Sequence, residues 1–162
     1  MVNRIKIVFL VFCIILITGC IDLKYMKIIV DGTAMEPTYK NKQILFADKS
    51  AYEKESPKRG DIIIFYTDYR EGKESIFIKR VIGLGGETLE IKDGKVFIDK
   101  KELKEDYLKA KESTAAMGES KWKIPNGSVF VMGDNRENSL DSRMIGTVEF
   151  TSIIGKILED IE

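Results

Sequence analysis

The sequence contains no histidine and only two cysteines, and both shortages limit the chemistry open to it. Without histidine, the Ser-His-Asp and Cys-His catalytic arrangements are excluded, and the commonest metal ligand is missing. A general base is therefore a lysine, aspartate, glutamate or tyrosine. Cys13 and Cys20 both lie in the N-terminal apolar stretch, where a helix would separate them by about 10 Å along its axis, too far for a disulfide. We expect no disulfide, no metal and no cofactor.

An excess of charge of either sign is also missing. Lysine and arginine total 26, aspartate and glutamate total 26, and the net charge is zero. This balance gives no reason to expect a nucleic-acid partner. The length of 162 residues suits one medium-sized domain with a small insertion.

The N-terminus is basic at first and then apolar. Arg4 and Lys6 precede an apolar run over residues 7–21, which Asp22 ends. As a helix this run reaches about 22 Å, short of the roughly 30 Å hydrocarbon core of a bilayer. Two interpretations stay open: an uncleaved membrane anchor, or a lipoprotein signal whose residues 17–20 resemble the bacterial lipoprotein box, with lipidation of Cys20. Either one predicts that the segment 1–22 tethers a soluble domain to the outer face of the bacterial cytoplasmic membrane.

After residue 25 the pattern is mostly β. Alternating or apolar runs between turn signals predict strands over Lys27–Val30, Gln43–Ala47, Asp61–Tyr66, Glu74–Ile82, Thr88–Ile91, Lys95–Ile98 and Ser128–Met132, with one or two more in 144–158. A hairpin turn is predicted at Asp93-Gly94, and one weakly amphipathic helix over Lys101–Lys111. The charged segment 85–126 indicates a small inserted β region within a β core formed by 23–84 and 127–162.

Three segments carry candidate chemistry. The first, residues 30–38, is a glycine turn followed by a proline-fixed bend, which alone is typical of an ordinary loop. The second, residues 76–83, places Lys79 on a strand face with Phe77 and Val81. Burial there would lower the pKa of the lysine and let it act as a general base, whereas a lysine that reaches the solvent would stay charged. The third, residues 129–146, contains acid–base spacings that alone indicate a solvated turn.

Together the three segments resemble, in order, the signatures of type I signal peptidases. Residues 32–38, Gly-Thr-Ala-Met-Glu-Pro-Thr, are similar to the nucleophile signature Gly-x-Ser-Met-x-Pro-Thr, with Ala34 in place of the serine. Lys79 takes the place of the general base, and residues 133–143 match the signature GDNR-x-NS-x-DSR. The resemblance implies mainly β architecture with antiparallel sheets of the signal-peptidase type and a small inserted β region. It also implies secretory preproteins as partners, with the end of the signal peptide bound extended beside Met35.

The resemblance assigns the site residues one by one. Ala34 stands at the nucleophile position and Lys79 at the base. The supporting positions are Gly32, Met35, Pro37, Arg80, Asp134, Arg136, Ser139, Asp141, Ser142 and Arg143. In the family the third segment lies beside the Ser-Lys dyad, and its Asp–Arg pairs hold the shape of the site. Ala34 has neither an oxygen nor a proton to give, although its backbone amide can still help to bind an oxyanion. In an extended chain Thr33 would point away from the face that Ala34 uses.

Two functional hypotheses follow, and the sequence leaves both open. The first is a type I signal peptidase, a serine endopeptidase of Ser-Lys chemistry, that is inactive with Ala34 in place of serine. The second is a non-catalytic relative that binds preproteins or helps to assemble secreted proteins such as pilins. A cytoplasmic Ser-Lys self-cleaving repressor is a third option, disfavoured by the apolar N-terminus.

Overall fold

The computed structural model describes residues 24–70, 73–108, 113–118 and 120–158. The predicted membrane segment, 1–22, and the proposed lipidation residue Cys20 lie outside these ranges. Among the residues that are described, none of the helices has the length and apolar character needed to cross a membrane.

Eleven strands and one short helix make up the described part of the chain. The strands are β1 (Tyr25–Ile29), β2 (Ile44–Asp48), β3 (Ile62–Arg70), β4 (Lys73–Leu84), β5 (Thr88–Lys92), β6 (Lys95–Ile98), β7 (Lys101–Glu102), β8 (Lys121–Lys123), β9 (Ser128–Met132), β10 (Val148–Glu149) and β11 (Ile153–Ile157). The helix α1 is a single turn, Ser142–Ile145, and a 3-10 turn follows at Phe150–Ser152. The chain is thus mainly β, as expected from the sequence.

The larger sheet has seven strands in the order β1-β2-β11-β3-β4-β9-β10, and every neighbouring pair is antiparallel. In the β3–β4 pair, Ile63 lies opposite Lys79 and Ile62 opposite Arg80. On its other side β4 pairs with β9 from Arg80, opposite Met132, to Leu84. Lys79 therefore sits immediately before the point where β4 gains its second neighbour.

The smaller sheet is formed by the chain between β4 and β9 and has the order β7-β6-β5-β8. Asp93 and Gly94 connect β5 and β6 with φ angles of 51° and 76°, the left-handed pair that a two-residue hairpin turn requires. This is the hairpin that the sequence predicts.

The two sheets share apolar packing. One buried cluster combines residues of the larger sheet, such as Ile82, Phe130 and Met132, with Leu89 and Ile124 from the intervening chain. Trp122 of β8 packs against Phe130 of β9, with 4.9 Å between ring centroids. The division into a core and an inserted region at 85–126 thus stays a prediction, because the packing runs across it.

The predicted helix over Lys101–Lys111 is wrong for the described residues 101–108. Lys101 and Glu102 form β7 against β6, and the amide of Leu103 donates to the carbonyl of Val96 at 2.8 Å. A weakly amphipathic segment gains little apolar burial as a helix, so pairing with an open strand edge prevails. Residues 109–111 lie outside the description.

Candidate active site

Lys79 provides the most unusual chemical group of the site. Its side chain leaves β4 among apolar neighbours, and the residue is only 5% exposed. The amine donates to the carbonyl of Ile78 at 3.0 Å and lies 5.0 Å from the centre of the Phe77 ring. Of the two environments that the strand pattern leaves open, burial and reach to the solvent, the structure shows burial.

Burial shifts the titration of this amine. Desolvation lowers the pKa of Lys79 from 10.5 to about 8, and the nearby carboxylates of Asp141 and Asp134 oppose that shift only in part. Both carboxylates are already paired with arginines, and Lys79 takes part in no ion pair within the described ranges. At neutral pH about a tenth of the amine is therefore unprotonated, far more than for an exposed lysine.

Ala34 lies in the turn that follows β1. Gly32 begins this turn with φ at +96°, a conformation that favours glycine, and its amide donates to Asn41 Oδ1 at 3.0 Å. The side chain of Met35 is 2% exposed and packs into the core under β1 and β2. Pro37, which is exposed, follows a cis Glu36–Pro37 bond. The hydrogen bond of Gly32 and the burial of Met35 thus hold the turn on either side of Ala34.

Ala34 and Lys79 line the same open cavity. This cavity has a volume of about 640 Å³ and is bounded by β1, the turn after it and β4, with Leu140 from the loop after β9. Met35 and Gly32 also line it. Thr33 does not, and its hydroxyl instead accepts a hydrogen bond from Asn138 Nδ2 at 2.9 Å.

The loop after β9, residues 133–141, holds the turn of Ala34 from the other side. The amide of Asn135 donates to the carbonyl of Ala34 at 3.0 Å, and Asn135 Nδ2 donates to the carbonyl of Thr33 at 3.1 Å. The approach is so close that a β-carbon on Gly133 would clash with the Ala34 carbonyl and with Ser139 Oγ. Glycine at this position therefore lets the loop reach the nucleophile position.

Asp134 of this loop pairs with Arg80 of β4. The Arg80 guanidinium donates from Nε to Oδ1 at 2.8 Å and from Nη2 to Oδ2 at 2.6 Å, and Asp134 is fully buried. The hydroxyl of Thr38 also donates to Oδ2. Such a two-pronged pair fixes both orientation and charge. The residue next to the buried lysine thus ties the strand to the loop.

Asp141 and Arg143 form a second pair with both side chains fully buried. Arg143 donates from Nε and from Nη2 to the two carboxylate oxygens, each at 2.9 Å. The same carboxylate accepts from the amide of Gly133 at 3.1 Å, and Ser142 Oγ accepts from the amide of Val131 at 2.9 Å. These contacts fasten the end of the loop and α1 to β9.

Arg136 has a partner that the sequence did not indicate. Its side chain is fully buried and pairs with Glu105, 31 residues away, rather than with Asp134 in the same turn. The hydroxyls of Tyr107 and Thr114 also accept hydrogen bonds from its guanidinium. No local spacing relates these positions to Arg136, and only their contact in the fold identifies them.

Ser139 is the last of the predicted site residues. Its hydroxyl is buried and has no hydrogen-bond partner among the described residues. The structure thus places all twelve predicted positions of the site in the turn after β1, in β4, or in the loop and helix after β9.

The sequence of this chain is similar to those of known proteins. Residues 1–159 match the family model described as signal peptidase, peptidase S26. The chain is 38% identical over 125 residues to signal peptidase I U of Bacillus subtilis, a match that covers 74% of this chain and 65% of that protein. It is 31% identical over 144 residues to signal peptidase I of Bacillus caldolyticus, covering 82% of this chain and 77% of that one.

A solved structure also resembles this chain. A signal peptidase I from Enterococcus faecalis V583 is 33% identical and superimposes with a TM-score of 0.52, covering 63% of this chain and 97% of the other. The chain spans about two thirds of the length of the B. subtilis relative. On the sequence matches and the shared fold, this chain belongs to the type I signal peptidase family, peptidase S26.

Proposed function

We propose that this chain has the site of a Ser-Lys endopeptidase that removes signal peptides from secretory preproteins, and that Ala34 leaves it without turnover. The observation that carries the proposal is the cavity that Ala34 and Lys79 share. A buried amine with a lowered pKa faces that cavity, which suits a general base for a hydroxyl at position 34.

With serine at position 34, each residue has a defined part. Lys79 takes the proton of the serine hydroxyl as the oxygen attacks the peptide carbonyl, and the backbone amide at 34 helps to hold the oxyanion. Lys79 then gives that proton to the departing amine. Water releases the acyl group from the serine in the second half of the reaction. Asp134 and Asp141, each neutralised by an arginine, hold the loop beside the dyad.

The substrate is an extended peptide. The cavity is bounded by β1, an edge strand, and by the part of β4 that precedes its pairing with β9. Open strand edges of this kind accept an added strand through main-chain hydrogen bonds. The end of a signal peptide would lie there with its scissile carbonyl next to position 34.

A non-catalytic role is the second candidate, and the intact cavity favours it. Ala34 removes the nucleophile, yet the turn, the loop and the cavity around it are complete. Such a chain would bind preproteins, or assist the assembly of secreted proteins, without cutting them.

The reversion Ala34→Ser tests the proposal. Loss of a serine nucleophile costs roughly 10⁶ in turnover, so we expect no measurable preprotein cleavage by the Ala34 chain and readily measured cleavage by the serine form. The double variant Ala34→Ser with Lys79→Met should again be silent. Cleavage by the Ala34 chain would contradict the proposal. A serine form that binds a signal-peptide substrate but never cuts it would favour the binding protein.

We further propose that the domain works at the outer face of the bacterial cytoplasmic membrane. The support is the basic start and apolar run of residues 1–22, with Cys20 in the lipoprotein-like tetrad. The intact mass of the protein from membranes tests this. We expect a lipidated Cys20 at a new N-terminus, whereas an intact Met1 chain would indicate an uncleaved anchor.

A further inference from the structure

The chain after β7 leaves the smaller sheet and crosses to the active-site loop. Residues 103–108 form this crossing, which we call the strap. The backbone N–H of its first residue, Leu103, donates a hydrogen bond to the carbonyl of Val96 in β6, and the Leu103 side chain packs on the cluster that joins the sheets. Its later residues lie against Arg80 and Arg136, the arginines that follow Lys79 and Asn135 in sequence.

Glu105 binds the loop arginine directly. Its carboxylate accepts from Arg136 Nη2 at 2.5 Å and from Nη1 at 3.1 Å, and the two side chains are 8% and 0% exposed. The Tyr107 hydroxyl donates to the same carboxylate at 2.5 Å and accepts from Arg136 Nη2 at 3.3 Å. Charge-assisted hydrogen bonds are strong where water is excluded, so these contacts hold the Tyr107 side chain in one orientation.

The Tyr107 ring covers the other arginine. The guanidinium carbon of Arg80 lies 4.1 Å from the ring centroid, and that of Arg136 lies 5.8 Å from it. A cation over an aromatic face is attracted, and the attraction grows when water is excluded. Arg80 in turn makes both hydrogen bonds to Asp134, whose charge acts on Lys79.

We propose that Tyr107, through the aromatic face that covers Arg80, is a positioning residue of the active site that acts on Lys79 through Arg80 and Asp134. The kinetic part of this inference rests on the proposed cleavage function, but the electrostatic part does not. The charged groups that act on Lys79 are Asp134 and Asp141, each held by an arginine, Arg80 and Arg143. Loss of the ring lets water reach Arg80. The guanidinium then neutralises the negative charge of Asp134 less completely. Both effects favour the protonated amine.

Two substitutions at Tyr107 distinguish the electrostatic effect of the aromatic ring from the effect of its packing. Tyr107→Leu removes the aromatic face, whereas Tyr107→Phe keeps it and is the conservative rescue. Leu103→Ala is the matched control, because it removes strap packing on the same cluster and leaves the Tyr107 ring over Arg80 in place. Thermal unfolding of all three variants measures how much each substitution destabilises the fold, separately from its effect on Lys79.

The pKa of Lys79 is then measured in the Ala34 chain by NMR of lysine labelled at the ε-carbon. We expect Tyr107→Leu to raise that pKa by about half a unit or more, with Tyr107→Phe and Leu103→Ala close to the parent chain. In the Ala34→Ser form, the acidic limb of the kcat/KM profile should move to higher pH by the same amount. We expect this shift in Tyr107→Leu and in neither of the other two variants.

An unshifted titration in Tyr107→Leu would overturn the inference, as would an equal shift in Leu103→Ala. The two proposals fail in different ways. If the Ala34→Ser chain never cuts, the cleavage function is lost, while the titration of the Ala34 chain still decides the role of Tyr107.

Discussion

At the scale of single residues, the buried amine of Lys79 is a cost to the fold. Its pKa of about 8 lies below its ordinary value of 10.5, so the unfolded chain holds this proton more tightly than the folded one. Below pH 8 the amine is protonated in both the folded and the unfolded chain, and the cost of burying its charge destabilises the fold in full. Between pH 8 and 10.5 the unfolded state binds more protons, so stability rises with pH and the penalty fades.

Lys79→Met should therefore stabilise the protein at pH 7. The shift corresponds to roughly 3 kcal/mol for a buried group, and we expect a gain of about 2 kcal/mol that shrinks toward pH 10. Urea unfolding at pH 7 and pH 10 measures it. The control is Lys27→Met, which removes an exposed lysine that lines the same cavity. A Lys79→Met variant that is less stable at pH 7 would show that the amine is satisfied by its surroundings.

The sequence predicted some residues of the site better than others. Alternation along β4 was enough to place Lys79 beside apolar groups, because a strand repeats every two residues. The family signatures gave Ala34, Asp134 and Asp141 as neighbours of that lysine. Glu105 and Tyr107 went unseen, since their contacts with the arginines depend on how the strap crosses the fold. Periodicity and motif spacing carry no information on such a crossing.

At the scale of elements, the loop after β9 depends on a buried ion pair. Breaking a buried pair by removing one partner costs about 3–5 kcal/mol, because it leaves an uncompensated charge in a dry place. We expect that loss for Asp141→Asn, which strands Arg143 and weakens the bond to the Gly133 amide. Denaturant titration of the purified variant measures it.

The matched control is Asp31→Asn, which breaks an exposed ion pair with Lys42. The melting temperature of this variant should stay within the error of the parent, because solvent and salt screen such a pair. If both substitutions have the same small effect, the loop is not held by the Asp141–Arg143 pair.

Strands were easier to predict from sequence than the connections between them. Runs such as Ile62–Phe65 and Val129–Met132 are wholly apolar and rich in β-branched residues, and all of these residues are buried in interior strands of the larger sheet. The segment 101–108 has no comparable pattern, and its backbone is fixed by the open edge of β6. The short helix α1 also escaped the sequence, because its four residues are set by the Asp141 cap rather than by a periodic face.

At the scale of the whole molecule, the two sheets should unfold together. The larger sheet has two further clusters of its own, but the buried apolar residues of the smaller sheet, Leu89, Ile91, Val96 and Ile98, lie in the cluster that the two sheets share. Trp122 is the single tryptophan of the chain and packs against Phe130 across the sheets. Its fluorescence therefore reports the contact between the sheets, while far-UV circular dichroism reports the strands of both. We expect the same urea midpoint from the two probes.

Phe130→Leu provides the comparison, because it loosens the contact with Trp122 while it keeps an apolar residue in the core. Both probes should move to a lower midpoint together. A tryptophan transition that precedes the circular dichroism transition would instead show that the segment 85–126 is an independent unit.

Because side chains alternate along β4, the neighbouring residues Lys79 and Arg80 point to opposite faces and have different roles. Lys79 carries an amine that burial makes easier to deprotonate, and Arg80 carries a permanent cation that anchors Asp134. A shift of β4 by one residue against β3 would exchange the two, and put a guanidinium that never gives up its proton in the cavity. A one-residue insertion or deletion ahead of Lys79 therefore keeps the amine in the cavity only if the turn or a bulge absorbs it without a shift in register.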